Sequence, residues 1–397
     1  NNTAVGMHAL GANTTGTANV AVGQGSLTSN TTASNNVAVG KNSLNANTTG
    51  DNLVAVGKDA LVDNTTGTTN VAVGQSALRS NTTASNNVAM GYHSLYANTT
   101  GAENVAIGKG ALDANTTADS NVGIGNNALG VNTTGAQNVA VGAAALDAAT
   151  TADDNTVVGY GAATAMTTGH SNVIVGKNAG LSATTADTSV IIGYDAGSSI
   201  TTAGNNVIIG SSAADDLTTG GQNVVIGKLN DAGAAGAAYR VVLGYSASGG
   251  TDESLLFGRG TTDSQIEFGA TSITAPSDIR LKEDIQDEKV GLNFINELRP
   301  VTFQWRKGKD VPADMKAHVP NSEERVMNGK HSHGFIAQEV KEVIDRYDLK
   351  EGFEMWTEDE SDGRQRIGEA ALMPIMVKAV QELSAQVEEL KSKLNEE

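Results

Sequence analysis

The stretch Asn36–Gly50 reads NVAVGKNSLNANTTG, and versions of it recur through the first part of a 397-residue chain. A fixed short period indicates a stack of identical structural units rather than one globular core. The unit is too short for a helical hairpin and alternates β-branched residues, so each unit is predicted to be one coil of a parallel β-solenoid. With strands about 4.8 Å apart, the coils would form a rod on the order of 70 Å long. The glycine of the phrase returns every 17 residues, at Gly6, Gly23, Gly40, Gly57, Gly74, Gly91, Gly108, Gly125, Gly142, Gly159, Gly176, Gly193, Gly210, Gly227 and Gly244.

The three residues before each glycine predict a short strand. Its first and last residues are apolar in most coils, as at Val20 and Val22, with Ala21 between them. Residues two apart in a strand point to the same side. We therefore expect the first and last residues to form the stripe that faces the core.

Two positions of the repeat change size together. The residue two before the glycine is small in early coils (Ala140) and large in later ones (Ile174), whereas the residue four after it changes from Leu146 to Gly180. A gain of bulk matched by a loss is expected where two side chains share one close-packed space. We predict contact between the positions; the alternative is two lineages of duplicated repeats without contact.

An Asn-Thr-Thr triplet follows seven residues after the glycine in the first eight coils. Each copy also reads as an N-glycosylation sequon. Asparagines in register favour a different interpretation, a ladder of side-chain hydrogen bonds from coil to coil. The asparagines of this ladder are Asn13, Asn30, Asn47, Asn64, Asn81, Asn98, Asn115 and Asn132.

The position directly after the glycine is predicted to form an exposed ridge, because lysines there must reach water. This Lys/Tyr ridge either binds a glycan or anionic polymer or is only a solvated surface. Its members are Lys41, Lys58, Lys109, Lys177, Lys228, Tyr92, Tyr160, Tyr194 and Tyr245.

Composition excludes several classes of protein. The net charge is −18, with 8 Lys+Arg against 18 Asp+Glu in residues 1–276 and 18 against 26 in residues 277–397, so nucleic acid is not an expected partner. Cysteine is absent, and aromatic residues make up 4%. No apolar run approaches the ~18 residues of a membrane span, so membrane insertion is not expected. The chain begins inside a repeat at Asn1, and we interpret it as a piece of something longer.

Beyond residue 250 the repeat ends. Residues 251–276 contain short strand-like segments and are interpreted as a connector. Next comes Ser277-Asp278-Ile279-Arg280-Leu281-Lys282. A serine with a lysine five residues on is compatible with a Ser–Lys dyad, in which lysine is the base if burial lowers its pKa. The alternative is a polar turn in which Ser277 caps a helix.

Two further motifs follow, Gly291–Trp305 and Gly334–Val340, and a helix closes the chain. Their order behind Ser277 resembles the endosialidase-type intramolecular chaperone, the self-cleaving C-terminal domain of phage tail fibres and spikes, over residues 277–397. The repeats resemble head repeats of trimeric autotransporter adhesins and repeats of phage tail fibres. The expected fold is therefore mainly β: a trimeric β-solenoid or β-roll over residues 1–250, the connector, and a small α+β domain ending in a coiled-coil helix.

The resemblance implies roles for particular residues. Ser277 would be the nucleophile and Lys282 its general base in a single-turnover autoproteolytic cut between Pro276 and Ser277. Gln338 and Glu339 match a family motif and are given a structural role first. His331 and His333 are interpreted as part of a loop, so no metal site and no cofactor is expected.

The last helix carries apolar residues in alternating steps of three and four, the pattern of a coiled-coil seam; the trimer itself is implied by the resemblance. We expect a homotrimeric tail fibre or spike shaft on the virion tail, with a host surface glycan or protein as receptor. Alternatives are a bacterial surface adhesin, a chaperone that stays uncut as a trimer cap, and a glycan-cleaving enzyme, which would need paired carboxylates. The seam comprises Met373, Met376, Val380, Leu383, Val387, Leu390 and Leu394.

Overall fold

A computed structural model describes residues 1–260, 262–270, 272–275, 277–327, 329–349, 353, 355–359 and 363–396. The chain folds as two units, Asn1–Ser277 and Asp278–Glu397. The first unit is a parallel β-solenoid of 17-residue coils, which confirms the predicted fold class.

Each coil contributes one short strand to a single parallel sheet. Residues pair with their equivalents 17 positions on, as Val37 does with Val54. The strands are β1 Thr3–Val5, β2 Val20–Val22, β3 Val37–Val39, β4 Val54–Val56, β5 Val71–Val73, β6 Val88–Met90, β7 Val105–Ile107, β8 Val122–Ile124, β9 Val139–Val141, β10 Thr156–Val158, β11 Val173–Val175, β12 Val190–Ile192, β13 Val207–Ile209, β14 Val224–Ile226 and β15 Arg240–Tyr245.

The sheet continues past the last coil. Strand β16 (Ser254–Arg259) pairs in parallel with β15, and β17 (Thr262–Glu267) pairs antiparallel with β16. Within the segment that was interpreted from sequence as a connector, residues 254–259 and 262–267 therefore extend the solenoid sheet.

The orientation of the strands corrects the expected core stripe. The middle residue faces inward: Ala21 is completely buried, whereas Val22 is 36% exposed and Val20 is half-buried. A three-residue strand with apolar residues at every position can turn either face inward. The narrow interior determines which residue faces inward. Leu27 and the asparagines occupy most of it, and the remaining space fits alanine rather than valine.

The predicted contact between the two size-changing positions is confirmed. A Cβ placed on Gly180 would lie 3.3 Å from Ile174 Cδ1 of its own coil and 3.6 Å from Ile191 Cδ1 of the next. A Cβ on Gly123 would lie 3.3 Å from Leu112 Cγ of the preceding coil. Each residue four after the glycine therefore packs between the middle residues of two successive strands.

The asparagine ladder is present, and a second one accompanies it. Asn47 is completely buried and donates through Nδ2 to Asn30 Oδ1 at 3.1 Å and to Gly50 O at 3.0 Å. Burial of this kind leaves no room for a sugar. The second ladder, four residues before the glycine, was not predicted: Asn19 Oδ1 accepts the Asn36 backbone N–H at 3.0 Å.

The second unit is a small α+β domain. Its elements are a 3-10 turn Ile279–Leu281, α1 Leu292–Glu297, β18 Val301–Phe303, a 3-10 turn Gly308–Asp310, β19 Ser332–Gly334, α2 Ala337–Arg346, β20 Trp356–Glu358, β21 Gln365–Ile367, a 3-10 turn Glu369–Ala371 and α3 Leu372–Glu396. Strands β18 and β19 form one antiparallel pair and β20 and β21 another.

The core of this unit forms around Phe294 of α1, which is completely buried. The Tyr347 ring meets it edge-on, with centroids 5.2 Å apart. Helix α3 is joined to α1 by Glu382, whose Oε2 accepts the Leu292 backbone N–H at 2.8 Å. The other buried members are Val340, Val343, Ile344, Met355, Leu372 and Ile375.

Candidate functional site

The segment that carries the predicted dyad is shaped by a single 3-10 turn. Asp278 caps this turn by accepting the Arg280 backbone N–H at 2.9 Å, and the Arg280 guanidinium also binds the Asp278 carboxylate. The hydrogen bonds from Arg280 lower the pKa of Asp278. Lys282 ends the turn and donates its backbone N–H to Ile279 O at 3.1 Å. Asp278, rather than Ser277, is therefore the capping residue.

Ser277 is the last residue of the first unit and is exposed; Lys282 belongs to the second unit and is exposed as well. Pro276, on the other side of the proposed cleavage point, lies outside the described residues. A lysine serves as a base when burial destabilises its charged form. Among the residues that the structure describes, Lys282 is exposed and does not have that burial.

The same segment also exposes large aliphatic side chains. Ile279 is 72% exposed, Leu281 63% and Ile285 64%. Exposed apolar groups of this size in one short stretch are typical of a surface that another chain covers. The segment that carries the predicted dyad therefore presents an apolar surface to solvent.

The second and third sequence motifs form helices and strands of the second unit. Gly291–Trp305 contains α1 and β18, and Gly334–Val340 leads from β19 into α2. Arg299 donates through Nε to Glu339 Oε2 at 2.9 Å, and this ion pair lowers the pKa of Glu339. Glu339 thus ties α2 to the chain after α1, which is a structural contact.

The predicted loop histidines lie at β19. Both His331 and His333 are exposed, and His333 pairs with Thr302 across the two strands. Among the described residues, no group of three or more His, Cys, Asp or Glu side chains is arranged to hold a metal ion.

An open groove of about 680 Å³ lies beside these strands within the second unit. Its walls include Val301, Phe335 and Glu369, and the first seam residues of α3, Met373 and Met376. Sequence reasoning did not find this groove, because its walls come from elements more than 70 residues apart in the chain.

Comparison with known proteins agrees with this arrangement. Residues 277–349 match the family model described as chaperone of endosialidase. The match begins at Ser277, includes both later motifs and ends before α3, so it is shorter than the resemblance drawn from sequence. No curated protein and no solved structure matches the chain.

The suspected architecture, a repeat β-solenoid followed by a chaperone of endosialidase, is thereby confirmed. A β-solenoid followed by such a domain suggests a phage tail-spike-like protein. In the part of the chain that the structure describes, none of the helices has the length and apolar character needed to cross a membrane.

Proposed function

We propose that the chain is the shaft of a homotrimeric phage tail fibre or spike that serves in host attachment or as a spacer. Residues 277–397 would form its intramolecular chaperone, which promotes trimerisation and folding and then cuts itself off. The observation that carries this proposal is the position of the chaperone match, which starts at Ser277 directly behind the solenoid unit.

Two apolar surfaces support assembly. Along the solenoid, the outward residues of the sheet are exposed in coil after coil, among them Met90 at 41%, Ile107 at 37% and Val173 at 39%. On α3, every seam residue is exposed by 41% or more, while the opposite side, with Ile375, is buried against the domain core. Both surfaces lose water contact if copies of the chain associate through them.

Cleavage would proceed at the Pro276–Ser277 bond. Ser277 Oγ loses its proton to Lys282 Nζ and attacks the carbonyl carbon of Pro276. The peptide C–N bond breaks, the Ser277 nitrogen leaves as an amine with the proton from Lys282, and an ester joins Pro276 to Ser277 Oγ. Water then hydrolyses the ester. Because nucleophile and scissile bond are adjacent, positioning supplies most of the acceleration.

Assembly would control the timing of this reaction. The aliphatic side chains around Lys282 become buried once another protomer covers them, and the desolvation that follows lowers the pKa of a lysine. The cut would therefore wait until the trimer has folded.

Mass spectrometry and light scattering test the proposal together. Wild-type protein should release a C-terminal piece of 121 residues, Ser277 to Glu397, whereas Ser277→Ala and Lys282→Ala should remain whole. The uncut Ser277→Ala variant should scatter with about three times the 40.5 kDa chain mass. A stable monomer would contradict the assembly, and a trimer that never cleaves would make the domain a permanent cap.

A further inference from the structure

One group of three coils in the middle of the solenoid carries a surface unlike the rest. Tyr92, His93 and Tyr96 stack in series: the Tyr92 and His93 ring centroids are 4.0 Å apart and nearly parallel, and those of His93 and Tyr96 are 4.4 Å apart. Tyr96 is the one aromatic residue at its position of the repeat. We refer to these three residues with Arg79, Lys109 and Asp113 as the aromatic patch.

Charged groups flank the rings from the coils on either side. In the preceding coil, the Arg79 guanidinium lies 5.7 Å from the Tyr96 ring centroid. In the following coil, Lys109 occupies the position equivalent to Tyr92, and Asp113 the position equivalent to Tyr96. Backbone hydrogen bonds place these coils in contact, since Ser80 N–H donates to Tyr96 O at 3.1 Å.

The stacked rings do not belong to the solenoid core. Tyr92 is 46% exposed, and His93 and Tyr96 are half-buried. The coil interior at this level is already filled by Leu95 and Asn98, which are completely buried. The packing of the coil therefore does not explain why three rings are placed here.

The patch also has hydrogen-bonding capacity that the protein leaves unused. Asp113 Oδ1 is buried yet accepts no hydrogen bond from the described residues. Burial raises the pKa of the Asp113 carboxyl, and the nearby His93 opposes that shift. Unsatisfied buried acceptors are uncommon in native structures, and each one needs an explanation, such as a water molecule or another group that supplies the donor.

We propose that the aromatic patch binds a pyranose oligosaccharide. The exposed Tyr92 ring offers an apolar face for the C–H groups of a sugar, while Arg79 and Lys109 donate to its oxygens and Asp113 accepts from a hydroxyl group. Aromatic surfaces with a few placed polar groups are the usual make-up of a small-ligand site. Three coils span about 10 Å, close to the length of two sugar rings.

This inference rests on the host-attachment part of the proposed function and assigns it a location. The probe is an array of purified microbial polysaccharides, tested with labelled full-length protein carrying Ser277→Ala. We expect the protein to bind polysaccharides on the array. Tyr92→Ala and Tyr96→Ala should each weaken binding at least tenfold, and Arg79→Gln several-fold.

Tyr160→Ala is the matched control, because Tyr160 is 63% exposed on the Lys/Tyr ridge of a different coil. Its binding should equal that of the parent protein. Circular dichroism and light scattering on the same samples should show folded trimers throughout. Equal binding by Tyr92→Ala and Tyr96→Ala, or no binding of any polysaccharide by folded trimers, would overturn the inference and leave the assembly intact. Loss of the trimer would instead count against the proposed function.

Discussion

In the first nine coils, the leucine four residues after the repeat glycine lies in a backbone conformation that leucine ordinarily avoids. Leu27 has φ 49° and Leu95 φ 48°, and the same left-handed conformation holds at Gly180 with φ 57°. Such a conformation costs an L-residue about 1–2 kcal/mol. Leucine persists there because its side chain fills the space between successive strands. The packing of the interior thus outweighs backbone preference at this position.

The repeat glycine itself allows no substitute. Gly125 has φ +137°, and a Cβ there would lie 2.5 Å from the carbonyl carbon of Gly142 in the next coil. We expect Gly125→Ala to lower the free energy of unfolding by roughly 2–5 kcal/mol, from backbone strain and collision together. Gly249→Ala is the control: φ is +114° but no atom lies within 4 Å of the added Cβ. Urea denaturation should show a larger loss of unfolding free energy for Gly125→Ala than for Gly249→Ala. Equal losses would mean that the backbone moves enough to relieve the collision.

The contact between the size-changing positions predicts coupled mutations. Ala140→Ile alone should destabilise the solenoid by about 1–3 kcal/mol, because Leu146 and Leu129 leave no room for the added carbons. Adding Leu146→Ala should restore part of that loss. Leu27→Ala lies several coils away, so its loss of stability should simply add to that of Ala140→Ile in the double mutant. Thermal melting of the single and double mutants checks this, and simple additivity for Ala140 with Leu146 would rule out a shared space.

At the scale of the element, the strand shows what the repeat can and cannot predict. The period alone predicts one strand per coil in exact register, the obligatory glycine and the first asparagine ladder, because stacking brings equivalent residues together. It leaves the strand's orientation open, since Val-Ala-Val is apolar on both faces. The second asparagine ladder also has a signal in the sequence, a recurring Asn four residues before the glycine, as at Asn36.

The candidate site was predictable only in part. The spacing of Ser277 and Lys282 and the order of the later motifs are properties of the sequence. The groove beside β18 and the cap that Glu382 places on Leu292 join residues far apart in the chain, and no local pattern encodes them. Under the proposed assembly, the surroundings of Lys282 would depend on other copies of the chain, which the sequence of one chain does not describe.

Asp231, in a turn near the end of the solenoid, couples the stability of the protein to pH. Burial, the hydrogen bond with Asp215 and the charge of Asp216 raise the pKa of Asp231 to about 7. Because the folded chain holds this proton more tightly than the unfolded chain, stability should fall as pH rises from about 4 to about 7 and then level off. After allowance for solvent screening the loss is about 1 kcal/mol.

Asp231→Asn removes the titration at this site. The melting temperature of the variant should therefore fall less than that of the wild type between pH 4.5 and pH 8. Asp154→Asn, on another turn of the solenoid, should keep the wild-type slope. Parallel pH profiles for wild type and Asp231→Asn would show that the Asp231 proton does not contribute.

For the whole molecule, the two faces of the sheet allow folding and the proposed association to be tested separately. Ala106 is completely buried inside its coil, whereas the neighbouring Val105 points outward and is half-buried. Ala106→Asp should unfold its coil, since an unpaired buried charge costs several kcal/mol. A pair of outward changes, Val105→Asp with Val122→Asp, should leave the coils folded and weaken the association of the solenoids.

Circular dichroism and light scattering distinguish the two outcomes, best in protein truncated before Ser277 so that α3 cannot hold the chains together. If the Val105/Val122 variant associates as strongly as the parent solenoid, the outward apolar face is not the surface of assembly.

The coil-to-coil register has a consequence for how such a molecule changes over generations. Because successive coils repeat the same hydrogen bonds, as Leu27 N–H to Ser43 O is repeated by Leu44 N–H to Ala60 O, a duplication of one unit adds no new kind of contact. Each insertion or loss of 17 residues would change the length of the solenoid by about 4.8 Å, the spacing of one coil. A gain of 16 or 18 residues would instead disturb the ladders at the altered coil. Changes in the gene can thus lengthen or shorten the solenoid in steps of one coil.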